Sequence, residues 1–210
     1  YASYFCNLVR LGCLITMKSI ASAFLAGLTL TLASGAALAQ AYPSKPIRWV
    51  VPYPAGGGSD FLARTIGQQL STQIGQSVVV ENKPGGNTAI AASDVARAPA
   101  DGYTMLSADN GTMTFNTALY SKLSYHPDRD LTPITLMGRF PMILVAGPSA
   151  DAKSAKDFLA KAKAAPGKIS YGSAGAGSPH HLAMEMLKSR TGVHMVHIPY
   201  RGAAPALADL

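Results

Sequence analysis

From residue 47 onward the chain alternates between short continuous apolar runs and longer stretches in which apolar residues recur every fourth position. Ile47-Arg48-Trp49-Val50-Val51 lies between Pro46 and Pro52, and so continuous a run predicts a strand buried on both faces. Leu62, Ile66, Leu70 and Ile74 then share one side with Ala63, while Arg64, Gln68 and Gln69 take the other. That spacing predicts an amphipathic helix, with Ser59 or Asp60 as its cap. Residues 78–81 predict a second strand, residues 88–98 a helix of small side chains, and residues 103–108 a third strand after the turn Pro99-Ala100-Asp101-Gly102. Strand, helix, strand, helix, strand at these distances predicts a parallel sheet with right-handed crossovers.

Beyond the third strand a helical stretch is expected over residues 116–123. The apolar residues of 131–148 suit either two strands or one crossing strand leading into another unit. A second series follows: helix 154–165, strand 168–172, a glycine-rich loop, helix 179–191 and strand 194–199. The reading is therefore two α/β lobes, residues 42–141 and an incomplete 142–210. The last residues open a helix and stop without a C-terminal glycine or a basic last turn, so a C-terminally truncated chain is expected.

The N-terminal part follows different rules. The chain begins with Tyr1, and Met17 is the better translation start, which makes residues 1–16 a spurious upstream segment. Residues 17–39 read as a signal peptide: Lys18 gives the positive start, residues 20–33 are apolar, and Ala37-Leu38-Ala39 is a small-residue cleavage site. A membrane anchor is the competing reading, because the apolar stretch approaches the roughly 20 residues that span a bilayer. Cleavage after Ala39 or Ala41 would leave a periplasmic protein. Cys6 and Cys13 both precede Met17, so the mature chain would hold no thiol. The net charge of +7 suits an anionic ligand, but the lysines and arginines are scattered, which argues against a nucleic-acid stripe.

Two glycine-rich loops, residues 55–59 and 173–178, each sit between a predicted strand and a predicted helix start. Backbone N–H groups at a helix N-terminus are unpaired and carry partial positive charge, and glycine lets a ligand come close to them. The chemistry this offers is capture of a carboxylate or a phosphate; the plainer reading is tight-turn geometry alone. Nucleotide loops fit poorly, because Ser178 stands after Gly172-Ser173-Ala174-Gly175-Ala176-Gly177 where a lysine is required. Ser178-Pro179 reads first as a helix cap with proline at the first helical position. Neither Ser173 nor Ser178 lies in a nucleophile elbow, since Tyr171 and Ala176 occupy the leading glycine positions. His180, His181, Glu185, His194 and His197 lack a third ligand at metal spacing on one helix, and a cap or a pair one turn apart explains His181 and Glu185. No cofactor or metal is expected.

Taken together, Pro52-Tyr53-Pro54-Ala55-Gly56-Gly57-Gly58-Ser59-Asp60, Glu81-Asn82-Lys83-Pro84-Gly85, Asp101-Gly102-Tyr103-Thr104, the run from Tyr171 to Leu182, and Pro199-Tyr200-Arg201-Gly202-Ala203-Ala204-Pro205-Ala206 resemble the Bug family of tripartite tricarboxylate transporter receptors. The resemblance implies a type II periplasmic binding protein fold, an α/β architecture with two lobes around a ligand cleft. It further implies a non-catalytic, monomeric receptor that binds a small carboxylate and docks on the membrane permease subunits of a tripartite tricarboxylate-type transporter. Carried over from the resemblance, ligand contacts fall at Tyr53, Ala55, Gly56, Gly57 and Asp60, at Ser173, Ala174, Gly175 and Ser178, and at Tyr200, Gly202, Ala203 and Pro205. Asp109, Asn110 and Thr112 are expected on the cleft wall, with Asp60 or Asp109 as counter-charge for any ligand amine. Gly85-Gly86-Asn87-Thr88 reads as a shortened form of the family's Pro-Gly-x-Gly-Gly-x-Ile-Gly run. A secreted serine or metal-dependent hydrolase is the alternative from another class, and a sensory receptor would use the same cleft.

Overall fold

The computed structural model describes residues 41–210. The upstream segment, the signal peptide and both cysteines lie outside the described residues. Strand β1 (Ile47–Val51) is the middle strand of a parallel sheet ordered β2-β1-β3, with β2 at Val78–Asn82 and β3 at Thr104–Leu106. Its central place explains its continuous apolar sequence: Trp49, Val50 and Val51 are buried from both sides. Register pairs Trp49 with Val80 on one side and with Met105 on the other.

Helix α1 (Gly58–Ile74) covers this sheet, packing Ala63 and Ile66 against Trp49, Val51 and Val78. Gly67 permits the close approach, since a Cβ there would sit 3.3 Å from Val78 Cγ1. The helix ends at Gly75, whose φ of 66° is the left-handed stop that glycine supplies without strain. Its start departs from expectation: Gly57 takes the cap position and no side chain caps the helix. Asp60 has another task, described below.

Helix α2 (Ala89–Ala96) follows a turn at Gly86–Thr88, and helix α3 (Asn116–Leu119) follows one π-helical turn at Gly111–Phe115. Helix α3 is shorter than the expected 116–123, and a short helix α4 (Pro127–Asp130) comes after it. Pro84-Gly85-Gly86-Asn87-Thr88-Ala89-Ile90-Ala91 is not a shortened form of Pro-Gly-x-Gly-Gly-x-Ile-Gly. The lengths are equal, and Asn87 and Thr88 stand in the two adjacent glycine positions, both at positive φ.

Residues 131–147 carry no regular element, which corrects the strand expectation for this run. Its composition is that of a strand, but a strand exists only through hydrogen bonds to a neighbour, and none of the described strands pairs with it. Ile134 and Ile143 are 76% and 75% exposed.

The second sheet has two parallel strands, β4 (Ser170–Ser173) and β5 (Val196–Pro199). Helices α5 (Ala155–Ala164) and α6 (Pro179–Thr191) pack Ala162, Met184, Phe158, Leu159 and Leu187 around Tyr171, Val193 and Met195. A last helix, α7, spans Ala203–Ala208. Residues 45–210 group as one unit, and each sheet has its own apolar cluster. Among the described residues no helix is long and apolar enough to cross a membrane.

Candidate functional site

The first glycine-rich loop leaves the C-terminal end of β1, where parallel α/β sheets collect their ligands. Asp60 holds it in shape. Its buried carboxylate accepts hydrogen bonds from Gly56 N at 3.0 Å, Arg64 Nε at 3.0 Å and Asn82 Nδ2 at 2.9 Å. Asn82 Nδ2 also donates to Tyr53 O at 2.9 Å, and Arg64 Nη2 donates to Asn82 Oδ1 at 2.9 Å. Burial pulls the Asp60 carboxyl upward, but the donors from Arg64, Gly56 and Asn82 outweigh it and hold the group below its ordinary range. Asp60 thus serves the loop itself. The N–H groups of Ala55 and Gly57 at the exposed tip are not drawn into these bonds, and a Cβ on Gly56 would meet nothing within 4 Å.

Tyr53 and Asp109 join the ends of β1 and β3. The Tyr53 hydroxyl donates to Asp109 Oδ2 at 2.6 Å, while Asp109 Oδ1 accepts from Thr112 N at 2.9 Å and lies 3.1 Å from Thr112 Oγ1. Burial, reinforced by the facing Asp109 carboxylate, raises the Tyr53 phenol far above its usual value, so it remains a donor. Both carboxylates expected as counter-charges for an amine are already engaged within the protein. Asn110 is exposed at the start of the following turn, and Thr112 is fully buried beneath it.

The second glycine-rich loop leaves β4 and opens α6. Gly175 and Gly177 adopt φ of 137° and 77°, conformations that L side chains rarely take. Ser173 Oγ accepts Gly175 N–H at 3.1 Å, Gly177 N–H donates to His181 Nδ1 at 3.0 Å, and Ser178 N–H donates to Gly175 O at 3.2 Å. Ser178 Oγ accepts His181 N–H at 3.3 Å, the predicted cap. The loop is therefore braced by its own side chains, and the N–H groups of Ala174 and Ala176 take no part in these bonds.

Residues 200–202 bridge the two loops. Tyr200 N–H donates to Ser173 O at 3.0 Å, and a Cβ on Gly175 would lie 3.5 Å from Tyr200 O. On the other side, a Cβ on Gly202 would lie 2.8 Å from Pro54 Cδ. The two glycine-rich turns thus belong to one neighbourhood. Ala203 is half-buried and Pro205 exposed on α7, at the edge of this group.

Parallel register also sets Tyr171 opposite His197. Their rings stack at 4.9 Å, and His181 from α6 stacks on His197 at 4.0 Å. Ser173, two residues along the same face, lies with its Oγ 2.7 Å from His197 Nε2. Burial first, and the neighbouring His181 second, hold His197 below its ordinary value. This pair has the distance of a nucleophile and its base. Ser173, however, is 2% exposed and its hydroxyl is bound to Gly175, while the facing acid Glu185 is taken by Tyr171 Oη at 2.6 Å and Lys188 Nζ at 2.7 Å. The geometry is that of a brace. Among the described residues no three His, Cys, Asp or Glu side chains group to hold a metal. Sequence reading had no role for Asn82, Arg64, Asn87 or Asn116. The Arg64–Asp60 pair sits one helical turn apart and was within reach of the sequence, Asn82 depends on the parallel register of β2 with β1, and the pairing of Asn87 with Asn116 joins a turn and a helix distant in sequence.

The family profile described as Tripartite tricarboxylate transporter family receptor matches residues 62–210. The chain belongs to this receptor family. An uncharacterised protein family member from the tcbD-tcbE intergenic region of Pseudomonas sp. (strain P51) is 40% identical over 189 residues, 89% of this chain and 56% of the relative. A solved R. palustris protein with adipate is 39% identical with a TM-score of 0.78, covering 80% of this chain and 56% of that one. The periplasmic binding protein BugD is 33% identical with a TM-score of 0.68, over 80% of this chain and 56% of its own. The fold is that of the α/β periplasmic binding proteins in the Bug group of tripartite tricarboxylate receptors. The chain spans about half the length of the relatives it matches.

Proposed function

We propose that the protein is a periplasmic receptor that captures a small carboxylate and delivers it to the permease subunits of a tripartite tricarboxylate-type transporter. Residues 42–141 and 142–210 would supply the two sides of the cleft, and a signal peptide over residues 17–39 would export the chain. The observation that carries this reading is the meeting of two glycine-rich turns, each ahead of a helix, around residues 200–202. Their N–H groups at Ala55, Gly57, Ala174 and Ala176 can donate to one acid group from two sides. The bracing side chains make such a cradle rigid before the ligand arrives, which lowers the ordering cost of binding. Adipate in a 39% identical structure supports the ligand class. Family membership among receptors supports capture without turnover.

The test is calorimetric titration of the protein in its natural length with mono-, di- and tricarboxylates, adipate included. Saturable binding is expected, with a melting temperature that climbs with ligand concentration as mass action requires. Absence of heat and of any thermal shift across the panel would sink the reading. N-terminal sequencing of periplasmic protein checks export, with Gln40 or Tyr42 expected as the first residue according to the cut.

A further inference from the structure

Asn87 and Thr88 are adjacent non-glycine residues in the left-handed region, at φ of 47° and 72°. A β-branched residue there is a genuine outlier, and such strain persists only where the surroundings over-determine it. They do so through a buried polar network. Asn116 Nδ2 donates to Asn87 O at 2.7 Å and to Tyr125 Oη at 3.1 Å, and Asn87 Nδ2 donates to Asn116 Oδ1 at 2.7 Å. Thr112 Oγ1 lies 2.8 Å from Thr88 Oγ1, and Tyr125 Oη donates to Thr112 O at 2.6 Å. Asn116, Thr88 and Thr112 are each at most 1% exposed. The network begins at Asp109, beside the first loop, and ends at Asn87.

What Asn87 touches beyond its own network is the second loop. A Cβ placed on Gly177 would lie 2.7 Å from Asn87 Nδ2 and 3.0 Å from Leu119 Cδ1. Gly177 is therefore held on one side by His181, which accepts its N–H, and confined on the other by the Asn87 amide. A glycine at position 87 would relax the backbone but offer nothing to this contact. We infer that Asn87 is a positioning residue whose amide, fixed by Asn116, sets the second glycine-rich loop and the start of α6 against the first loop. Its consequence for ligand affinity rests on the receptor reading above; its consequence for loop order does not.

The experiment compares Asn87→Gly with the wild type in the protein of natural length, by amide hydrogen exchange without ligand, urea unfolding and adipate titration. Exchange over residues 174–178 is expected to quicken about fivefold and adipate affinity to fall by a similar factor, beyond any change in the global unfolding midpoint. Faster exchange confined to residues 86–91 and 112–116, with 174–178 unchanged, would overturn the inference, because Asn87 would then serve only its own network. Gly177→Ala presses on the same contact from the opposite side and decides the matter should Asn87→Gly not fold. It is expected to quicken exchange over residues 86–91, and unchanged exchange there would equally overturn the inference. If wild-type protein binds no adipate, the failure belongs to the receptor reading, and the exchange arms still decide the role of Asn87.

Discussion

A single carboxylate governs the first loop. Asp60 accepts from three directions, and no other residue type of that size provides two acceptor oxygens for a backbone N–H, a guanidinium and an amide. Asp60→Asn replaces one acceptor with a donor facing Arg64, and should destabilise the protein by about 1–3 kcal/mol, the usual cost of stranding a buried partner. Urea unfolding at neutral pH measures this. The pH dependence follows from the depressed carboxyl. Its stabilising contribution is present above the unfolded value of about 3.9 and is lost as pH falls through the lower folded value. Asp60→Asn should therefore flatten the acid limb of the stability profile, and an unchanged limb would assign it to other carboxylates. Gly202→Ala is a second expectation at this scale. Its φ of 121° and the Pro54 ring at 2.8 Å leave no room for a methyl group, so ligand affinity and stability should fall together.

At the level of elements, the helix cap and the strand register divide the work around the second loop. Ser178 caps α6 as Ser154 caps α5 through Asp157 N at 3.1 Å, and either serine changed to alanine should cost about 1 kcal/mol in urea unfolding. Only Ser178→Ala should also weaken carboxylate binding, since only α6 opens at the second glycine-rich loop; equal effects on binding would separate cap from site. Much of this was legible in the sequence. The apolar run 47–51 and the spacing of Leu62, Ile66, Leu70 and Ile74 announce a buried strand and its helix, and Ser178-Pro179 announces a helix start. Residues 131–147 misled because apolar composition specifies a surface and not a hydrogen-bonded neighbour. Asn87 and Thr88 were illegible for the opposite reason. Their left-handed backbone contradicts local preference and is imposed by Asn116 and Thr112, residues distant in sequence. The pairing of Ser173 with His197 likewise depends on a register that only the assembled sheet defines.

For the molecule as a whole, two features respond to conditions. The stacked core of Tyr171, His197 and His181, flanked by Ser173, Glu185 and Lys188, favours an uncharged His197. A histidine depressed by folding stabilises above its unfolded value of about 6.5 and ceases to as pH falls through the folded value. Stability should therefore decline as pH falls below about 6.5, and His197→Asn should remove that part of the decline; a variant profile parallel to the wild type would rule this out. The exposed run 131–147 acts on solubility instead. Ile134, Leu136, Phe140 and Ile143, all within ten residues of chain, are each at least 60% exposed, and exposed apolar side chains so grouped in sequence favour association between copies. Because these side chains lie outside both apolar clusters, replacing Ile134 and Ile143 with threonine should alter the unfolding free energy by less than about 0.5 kcal/mol. The same pair should slow aggregation of the 210-residue chain in light scattering, since it interrupts the apolar surface through which copies would associate. A large loss of stability would instead mean that the run is packed in solution, and unchanged scattering would place the associating surface elsewhere, for which the exposed Val196 and Ile198 of β5 are the next residues to substitute.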